Sequence, residues 1–473
     1  MKKTLFALAA AVLCLSSCGK MWDAFNAHDT AYYRNQFAHD LMDYYYLWRA
    51  EVSDQLENWS YSTDPVAKVR SLRYKDGNGV EVDHWTTLYE DIRPFIGSVT
   101  GNTDSFGFDF LLVGDAETQT VEYGIVTYTY AGSPAAKAGL RRGDLFETLN
   151  GQHITIDNYS VLYNGGTVQM GMQDGSTVQL TAVKMYENPI QTVRTLEMGG
   201  KKIGYLHFTG FTLQAAVDLE DVFRQFKAQG IQELVMDLRY NGGGYTLTSQ
   251  VLGSMIAPTD AVENGSIFNM DVYNANFSGT VTRFVESMDV TLDDGKKYTV
   301  HPAQVNPGLS RVWFITTGSS ASASEALICG LKPYMDLYTV GKQSYGKYCG
   351  GYIFQAEDYY DAVEEQGVYG IDPDAGRDAT RNWGIYVIAT RYSDCAGNTL
   401  SMPDGIPADF PAIDNPADGH DFGDPEESML SAVLERMGVK PATAAPRVGA
   451  ASTQAPATLL PAPKPGFGTR ILP

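Results

Sequence analysis

The sequence predicts an α/β protein of several domains (α+β multidomain), built around a layered α/β core. Residues 195–412 alternate strand-like and helix-like segments, which is typical of a layered arrangement. The 473 residues are 44% hydrophobic and 19% charged, so the chain can bury cores in about three domains of ordinary size. Two regions of different pattern precede this alternation. The first has a helical pattern, and the second is rich in short strands and glycine turns.

The charge balance argues against one class of partner. Asp and Glu number 56 against 35 Lys and Arg, for a formal net charge of −21. Such a chain repels phosphate backbones, so we expect no nucleic-acid partner.

The N-terminus resembles a bacterial lipoprotein signal. Lys2 and Lys3 precede an apolar run over residues 5–15, which is too short to span a bilayer at about 20 residues per helix. Leu15-Ser16-Ser17-Cys18-Gly19 then resembles a lipobox. The resemblance implies a signal peptide over residues 1–17, lipidation of Cys18 and a membrane-anchored protein of the cell envelope, periplasmic or associated with the outer membrane. The alternative is an ordinary secretory signal.

The cysteines and histidines give no indication of a metal site. Loss of Cys14 with the signal and acylation of Cys18 leave Cys329, Cys349 and Cys395, of which two can form a disulfide in an oxidising compartment. No CxxC pair or Cys/His cluster accompanies them, so no metal is expected.

Residues 18–100 have a helical pattern. Phe37, Leu41 and Tyr45 fall at helical spacing, and Asp64-Pro65 is typical of a helix start. We interpret the run Tyr44-Tyr45-Tyr46 as a packing face rather than a platform for a ligand.

Residues 101–190 carry short strand-like runs and a distinctive series of turns. Gly139 suits a left-handed helix cap, and Asn150-Gly151 suits a two-residue hairpin. The run from Ser133 to Gly151 resembles a PDZ domain. The resemblance implies a groove that takes a C-terminal peptide as an added strand, with the carboxylate on N–H groups near Phe106-Gly107-Phe108. The alternative is a domain that only braces its neighbour.

The serine-rich run over residues 318–325 follows a predicted strand and begins a helix. Helix N-terminal N–H groups stabilise a developing negative charge, so a serine here can act as a nucleophile. The competing interpretation is a capping box, because Ser322 and Glu325 have the required spacing.

A second segment supplies a candidate base. No histidine lies near the serine run in sequence, but Lys347 follows Gly346 in a turn after the next strand. Burial would pull the pKa of a lysine down from about 10.4 and let it accept a proton. The alternatives are a solvated surface lysine at position 347 and Lys342 as a rival base.

Three motifs together resemble those of the C-terminal processing peptidases, also called tail-specific proteases. They are the run over residues 320–325, Tyr345-Gly346-Lys347, and the stretch over residues 237–244 that ends in three glycines. The resemblance implies a crotonase-like protease core with an inserted PDZ domain. It also implies Ser322 as nucleophile, Lys347 as base 25 positions later, and the N–H groups of Gly243 and Ala323 as the oxyanion hole.

One position departs from the family pattern. Many members have Gln four residues after the lysine, where this chain has Gly351. Gln343 and Gln355 are near but not at the matching place, so the third catalytic group stays open. A segment over residues 405–409 is similar to the closing motif of the family.

The C-terminal part is predicted to hold one helix and a tail. Residues 413–438 contain a helix that Asp424 would cap, with Pro425 at its first position. Residues 439–473 contain seven prolines and no acidic residue, which predicts a disordered tail without a fold element.

The sequence thus predicts a serine endopeptidase that needs no cofactor and recognises proteins or peptides with apolar C-termini. The main alternative is a cell-envelope protein on the same fold that binds peptides or another ligand without cleaving them. A purely structural lipoprotein is the third alternative.

Overall fold

A computed structural model gives the architecture of most of the chain. It describes residues 28–115, 117–400, 404–441, 458–460 and 470–471. The predicted signal peptide and Cys18 lie outside the described residues.

The N-terminal region is a helical layer on the body of the protein. Phe37, Leu41 and Tyr45 are buried, and the Tyr45 ring lies 4.6 Å from that of Phe354, so the packing interpretation of the tyrosine run is confirmed. The elements of this region are α1 (Thr30–Tyr45), α2 (Ser53–Glu57), α3 (Pro65–Ser71), β1 (Thr87–Tyr89) and α4 (Arg93–Thr100).

The next region is a small β-domain. Its strands are β2 (Asn102–Ser105), β3 (Phe108–Asp115), β4 (Thr120–Thr129), β5 (Leu145–Leu149), β6 (Gln152–His153), β7 (Thr167–Met172), β8 (Thr177–Thr181) and β9 (Val183–Tyr186), with helix α5 at Pro134–Lys137 and a 3₁₀ turn at Tyr159–Leu162. Strands β3, β4, β5, β7 and β8 form an antiparallel sheet in that order. Asn150 and Gly151 both have positive φ, as the predicted hairpin turn requires.

The largest region is a layered α/β core. Its first part contains β10 (Ile190–Met198), β11 (Lys201–Phe208), α6 (Leu213–Gln229), β12 (Glu233–Asp237), β13 (Gly244–Tyr245), α7 (Thr246–Ile256), α8 (Thr259–Glu263), β14 (Ile267–Tyr273), β15 (Thr280–Arg283), β16 (Met288–Thr291), β17 (Lys297–Val300) and α9 (Pro302–Val305). Its second part contains β18 (Arg311–Thr316), α10 (Ala323–Leu331), β19 (Asp336–Gly341), β20 (Cys349–Gln355), α11 (Ala356–Glu365), α12 (Pro373–Ala379), β21 (Gly384–Ser393), β22 (Phe410–Pro411) and α13 (Ser428–Arg436).

The central sheet of this core has the order β10-β11-β12-β18-β19-β22 and is parallel from β11 onward. Helices α6, α7 and α10 bury apolar side chains against one face, and α13 covers the other. The layered α/β prediction is therefore confirmed. Parallel strands place their carboxyl ends at one edge, where ligands bind in such folds.

A second, mainly antiparallel sheet lies between this core and the N-terminal helices. Strands β20, β21, β14 and β15 pair in that order, and β1 adds to β21. Its side chains pack with those of α1 in one hydrophobic cluster. This sheet begins two residues after Lys347 and so fixes one end of the lysine turn.

The last helix begins later than the sequence predicts. Glu427, not Asp424, is its N-cap, and its side chain accepts from the Leu430 N–H at 2.9 Å. Asp424 instead accepts hydrogen bonds from His420 and from the backbone N–H of Glu426. The predicted cap was wrong because Asp424 is engaged in this local turn.

The predicted tail without a fold element is wrong at two places. Residues Thr458–Leu460 form β23 on β3, and Arg470–Ile471 form β24 between β13 and β20. Both use the unpaired N–H and C=O groups of strand edges far away in sequence. Amino-acid composition reflects only the local conformational preference of a segment, so it could not predict that these tail residues pair with distant strands.

A buried charge cluster links the β-domain to the core. The Arg142 guanidinium, 3% exposed, lies 3.0 Å from Asp414 and 3.4 Å from Glu427. Arg239 binds the same two carboxylates at 2.8 and 2.7 Å and also Asp237. Burial alone would raise the pKa of Asp237, but the adjacent Arg239 holds it below its usual value. The cluster thus fixes the end of β12 relative to the neighbouring domain.

Two findings concern the envelope predictions. Within the described residues, the structure has no helix with both the length and the apolar character to cross a membrane. Cys329, Cys349 and Cys395 are thiols, so the disulfide that the sequence allowed is not formed.

Candidate active site

The candidate site lies where three neighbouring parallel strands end. The loops after β12, β18 and β19 carry the glycine turn, Ser322 and Lys347 respectively. Hydrogen bonds join the loops: the Ala321 N–H donates to the Asn241 carbonyl at 3.0 Å, and the Tyr345 N–H donates to the Ser320 carbonyl at 3.0 Å. The structure therefore brings the three sequence motifs to one place.

Ser322 has an unusual backbone conformation at the start of α10. Its φ of 62° and ψ of −110° lie outside the regions that side-chain-bearing residues favour. The residue is fully buried. The capping-box arrangement with Glu325 is present, but it gives the hydroxyl no hydrogen bond of normal geometry. Among the described residues, that hydroxyl has no partner.

Glu325 joins the serine loop to the lysine loop. Its carboxylate accepts hydrogen bonds from the N–H groups of Ser322, Gly346 and Lys347 at 2.8, 2.7 and 2.9 Å, and from the Ser344 hydroxyl at 2.6 Å. Burial raises the pKa of Glu325 to about 7, although these hydrogen bonds oppose the shift. Sequence reasoning identified only its capping role, because the other partners come from a loop that only the sheet brings near.

The Lys347 side chain is buried in an aromatic environment. Its amine donates to the Tyr386 hydroxyl at 3.2 Å and lies 4.6 Å above the centre of the Trp85 ring. The residue is 0% exposed, so the solvated-lysine alternative is wrong, whereas Lys342 is exposed. Sequence reasoning missed Trp85 and Tyr386, because both are ordinary aromatic residues of distant segments.

The Ser322 hydroxyl and the Lys347 amine are not hydrogen-bonded to each other in this structure. Their backbones are nevertheless held by one phenol: the Tyr392 hydroxyl donates to the carbonyls of Lys347 at 3.2 Å and Ser322 at 3.4 Å. The candidate nucleophile and the candidate base therefore lie on joined loops without a hydrogen bond between their side chains.

The two predicted oxyanion donors, the N–H groups of Gly243 and Ala323, differ in whether they already make a hydrogen bond within the protein. The Gly243 N–H donates to the Asn241 side chain at 2.9 Å, and Asn241 in turn donates to the Phe208 carbonyl at 2.8 Å. Ala323 is the first residue of α10, where backbone N–H groups have no partner within the helix. Gly243, at a φ of 107°, needs glycine for its conformation.

Position 351 cannot hold the glutamine of the family pattern. A Cβ at Gly351 would lie 2.2 Å from the Val387 carbonyl oxygen, at an irregularity in the pairing of β20 with β21. Gln343 is exposed. The phenol of Tyr386 is the group that contacts the lysine amine instead.

The predicted carboxylate-binding loop of the β-domain is partly occupied. Phe106 and Phe108 are buried, and the Gly107 N–H donates to the Ser105 hydroxyl at 2.8 Å. A Cβ on Gly107 would lie 2.1 Å from that of Ser133, which explains the glycine. The Gly107 N–H is therefore already used, and carboxylate capture by this loop stays a prediction.

Comparison with known proteins gives the same assignment for both domains. Residues 202–410 match peptidase family S41, and residues 125–163 match a PDZ domain. The core of the chain is therefore similar to peptidase family S41. The matched range contains the glycine turn, Ser322 and Lys347, so the resemblance that the sequence motifs indicated is confirmed.

Two similar proteins are named as carboxy-terminal processing proteases. The chain is 28% identical over 274 residues to the carboxy-terminal processing protease CtpB of Bacillus subtilis, covering 55% of this chain and 52% of the relative. It is 25% identical over 230 residues to a carboxyl-terminal-processing protease of Picosynechococcus, covering 46% and 49%. The chain thus spans about half the length of these relatives.

A solved structure has the same fold over most of the chain. It is a Bacteroides fragilis protein assigned to the S41 proteases, with a TM-score of 0.61 and 21% identity, covering 85% of this chain and 97% of the other. At this identity the likeness concerns the fold alone.

Proposed function

We propose that the protein is a serine endopeptidase in which Ser322 is the nucleophile and Lys347 the general base. The observation that carries the proposal is the convergence of the glycine, serine and lysine loops at the carboxyl edge of the sheet, with Glu325 bound to both reactive loops. A buried amine and a buried hydroxyl on joined loops match the requirements of a nucleophile activated by a lysine.

The reaction follows from these roles. Uncharged Lys347 takes the Ser322 proton while the oxygen attacks a peptide carbonyl, and the oxyanion accepts hydrogen bonds from backbone N–H groups. The lysine then gives its proton to the leaving amine as the C–N bond breaks. Water attacks the acyl-enzyme with Lys347 again as base, which releases the new carboxyl end and restores the serine.

Two hydrogen bonds must change before this chemistry begins. The Lys347 amine has to turn from Tyr386 toward Ser322, and the Gly243 N–H has to leave the Asn241 side chain. Each change needs a side-chain rotation, of Lys347 in the first case and of Asn241 in the second, and apo sites often tighten only when substrate binds. We propose that an extended substrate in the cleft brings them about.

The substrate class follows from the PDZ domain. Such domains bind C-terminal peptides as an added strand, so we propose that apolar C-terminal tails of proteins or peptides are delivered to the site in this way. Neither the dyad chemistry nor the tail recognition requires a cofactor.

Cleavage of an unstructured peptide with an apolar C-terminus tests the proposal. Ser322→Ala and Lys347→Met should each lower kcat/KM by about 10³-fold or more, because each removes a reacting group. Lys342→Ala is the matched control for the loss of a lysine on the same loop and should keep wild-type activity. Equal activity of wild type and Ser322→Ala would disprove the assignment.

A peptide-binding protein that does not cleave is the second candidate. The observations that favour it are the Ser322 hydroxyl without a partner among the described residues and the occupied Gly243 N–H. Mass analysis of an incubated peptide separates the two: bound peptide that is recovered uncut at every pH supports this candidate, and two fragments support the peptidase.

We propose in addition that Cys18 carries a lipid anchor in the cell envelope. The lipobox-like run before Cys18 supports this. Cys18→Ala should move the protein from the membrane fraction to the soluble fraction, with Cys14→Ala as the control. Retention of Cys18→Ala in membranes would refute the anchor.

A further inference from the structure

Two strand edges of this protein are suited to bind an extended peptide, and the C-terminal strands β23 and β24 pair with one edge each. The first edge is that of β3 in the PDZ domain. The second is the space between β13 and β20 at the candidate active site, because the order there is β13-β24-β20.

At the first edge, β23 adds to β3 in antiparallel register. Thr458 pairs with Gly114 and Leu460 with Leu112. Leu460 is 3% exposed and belongs to the hydrophobic cluster that contains Phe110. A backbone ladder with one buried apolar side chain is the mode in which PDZ domains take peptides.

At the second edge, β24 pairs with both walls of the candidate cleft. Arg470 pairs with Gly244 and Ile471 with Tyr245, while Ile471 also pairs with Gly351. Gly244 directly follows the predicted oxyanion residue Gly243, and Gly351 lies four positions after Lys347. The strand therefore lies between β13, which follows the glycine turn, and β20, which follows the lysine turn.

Length and charge are consistent with one ligand that binds at two points. Ten Cα–Cα steps separate Leu460 from Arg470, which span at most about 35 Å. Residues 439–473 contain four basic residues and no acidic one, while the whole chain has a net charge of −21. Attraction to an acidic body and attachment through the chain both raise the local concentration of the segment.

We propose that the strands β23 (Thr458–Leu460) and β24 (Arg470–Ile471) act as a built-in ligand at two edges, one in the PDZ domain and one at the active-site cleft, which together form a peptide-binding track. Substrates compete with these strands for the track. The competition rests on the proposed peptidase function, whereas the binding does not. The track defines a class of ligand: an extended peptide with an apolar anchor and a second strand ten residues later.

Hydrogen exchange on the full-length chain tests the binding without reference to catalysis. Leu460→Asp should speed exchange at residues 112–114, because a buried carboxylate cannot stay in the apolar site. Ile471→Pro removes a backbone N–H outside the PDZ domain and should speed exchange at Gly244, Tyr245 and Gly351. Val80→Asp is the control, because it changes a side chain that is 61% exposed.

Leu460→Asp could unfold the PDZ domain, so a second hydrogen-exchange experiment uses a synthetic peptide of residues 456–473. Added to Ile471→Pro, the wild-type peptide should restore protection at Gly244, Tyr245 and Gly351, whereas a peptide that itself carries Ile471→Pro should not. Exchange that is equally fast in the wild type and both variants, without protection by the peptide, overturns the proposal.

Peptide cleavage then tests the competition. Ile471→Pro should lower KM about 10-fold with kcat unchanged, because an occupant of the free enzyme is released. If no variant cleaves peptide but the exchange results hold, the peptidase proposal fails and the built-in ligand stands. If cleavage occurs with the same KM in the wild type and Ile471→Pro, the competition is refuted.

Discussion

Glu325 holds the serine and lysine loops together, and its protonation is coupled to folding. Its pKa is about 7 in the folded protein against 4.5 as its ordinary value, mainly because of burial. The folded state therefore holds a proton over this range that the unfolded state releases. This group makes the free energy of unfolding fall by roughly 3 kcal/mol as the pH rises from about 4.5 to about 7.

Glu325→Gln should remove that pH dependence. The amide does not titrate, so the difference in unfolding free energy between pH 5 and pH 7.5 should shrink by about 2–3 kcal/mol in denaturant titrations. Glu357→Gln, at an exposed position, is the control and should follow the wild type. Parallel pH profiles of Glu325→Gln and the wild type would contradict the buried titration.

Tyr386 is the group that contacts the lysine amine where the family pattern has glutamine. Tyr386→Phe removes the hydroxyl at 3.2 Å from the amine and should lower kcat about 10-fold with little change in KM, because the base loses its orientation. Steady-state kinetics on a peptide substrate measure the effect.

Tyr360→Phe is the matched control for this variant. It removes another buried tyrosine hydroxyl, which donates to the Tyr33 carbonyl at 2.7 Å outside the candidate site. Its kcat should equal that of the wild type. An unchanged kcat for Tyr386→Phe would show that the phenol does not position the amine.

The strand β20 explains the departure at position 351. Its pairing with β21 is irregular beside Gly351, and the space for a Cβ is filled by the Val387 carbonyl. Gly351→Ala should lower the free energy of unfolding by about 2 kcal/mol, as overpacking does. Gly77→Ala, where a Cβ meets nothing within 4 Å, is the control. Equal unfolding midpoints for both variants would contradict this account.

The central strands were predictable because each has a local signal. Apolar runs such as residues 234–236 and helix ends such as Gly230, with a φ of 70°, are signalled by neighbours in sequence. The contacts of Glu325 with the lysine loop, the position of Trp85 and the two tail strands depend on segments that are far apart. The motifs therefore indicated which loops carry the candidate catalytic residues, but not which side chains surround those residues.

At the scale of the whole molecule, the buried charge cluster around Arg142 links the PDZ domain to the core. Arg142→Ala would leave the carboxylates of Asp414 and Glu427 with less compensation and should lower the free energy of unfolding by about 3–5 kcal/mol. Arg141→Ala is the control, because its side chain is exposed. Denaturant unfolding followed by fluorescence measures both.

The Arg142→Ala variant also tests whether the PDZ domain and the core are coupled. If Arg142 connects the PDZ domain to the end of β12, Arg142→Ala should lower kcat/KM on peptides as well as stability. A variant with wild-type stability would show that the cluster does not join the two domains.

The central claim is that a buried lysine activates Ser322. Its most direct test is the rate at which a fluorophosphonate probe labels the protein over a range of pH, with the labelled residue identified by mass spectrometry. The account predicts labelling at Ser322 that speeds up as the pH rises and is lost in Lys347→Met. The absence of labelling at every pH, or equal labelling in Lys347→Met, would contradict it.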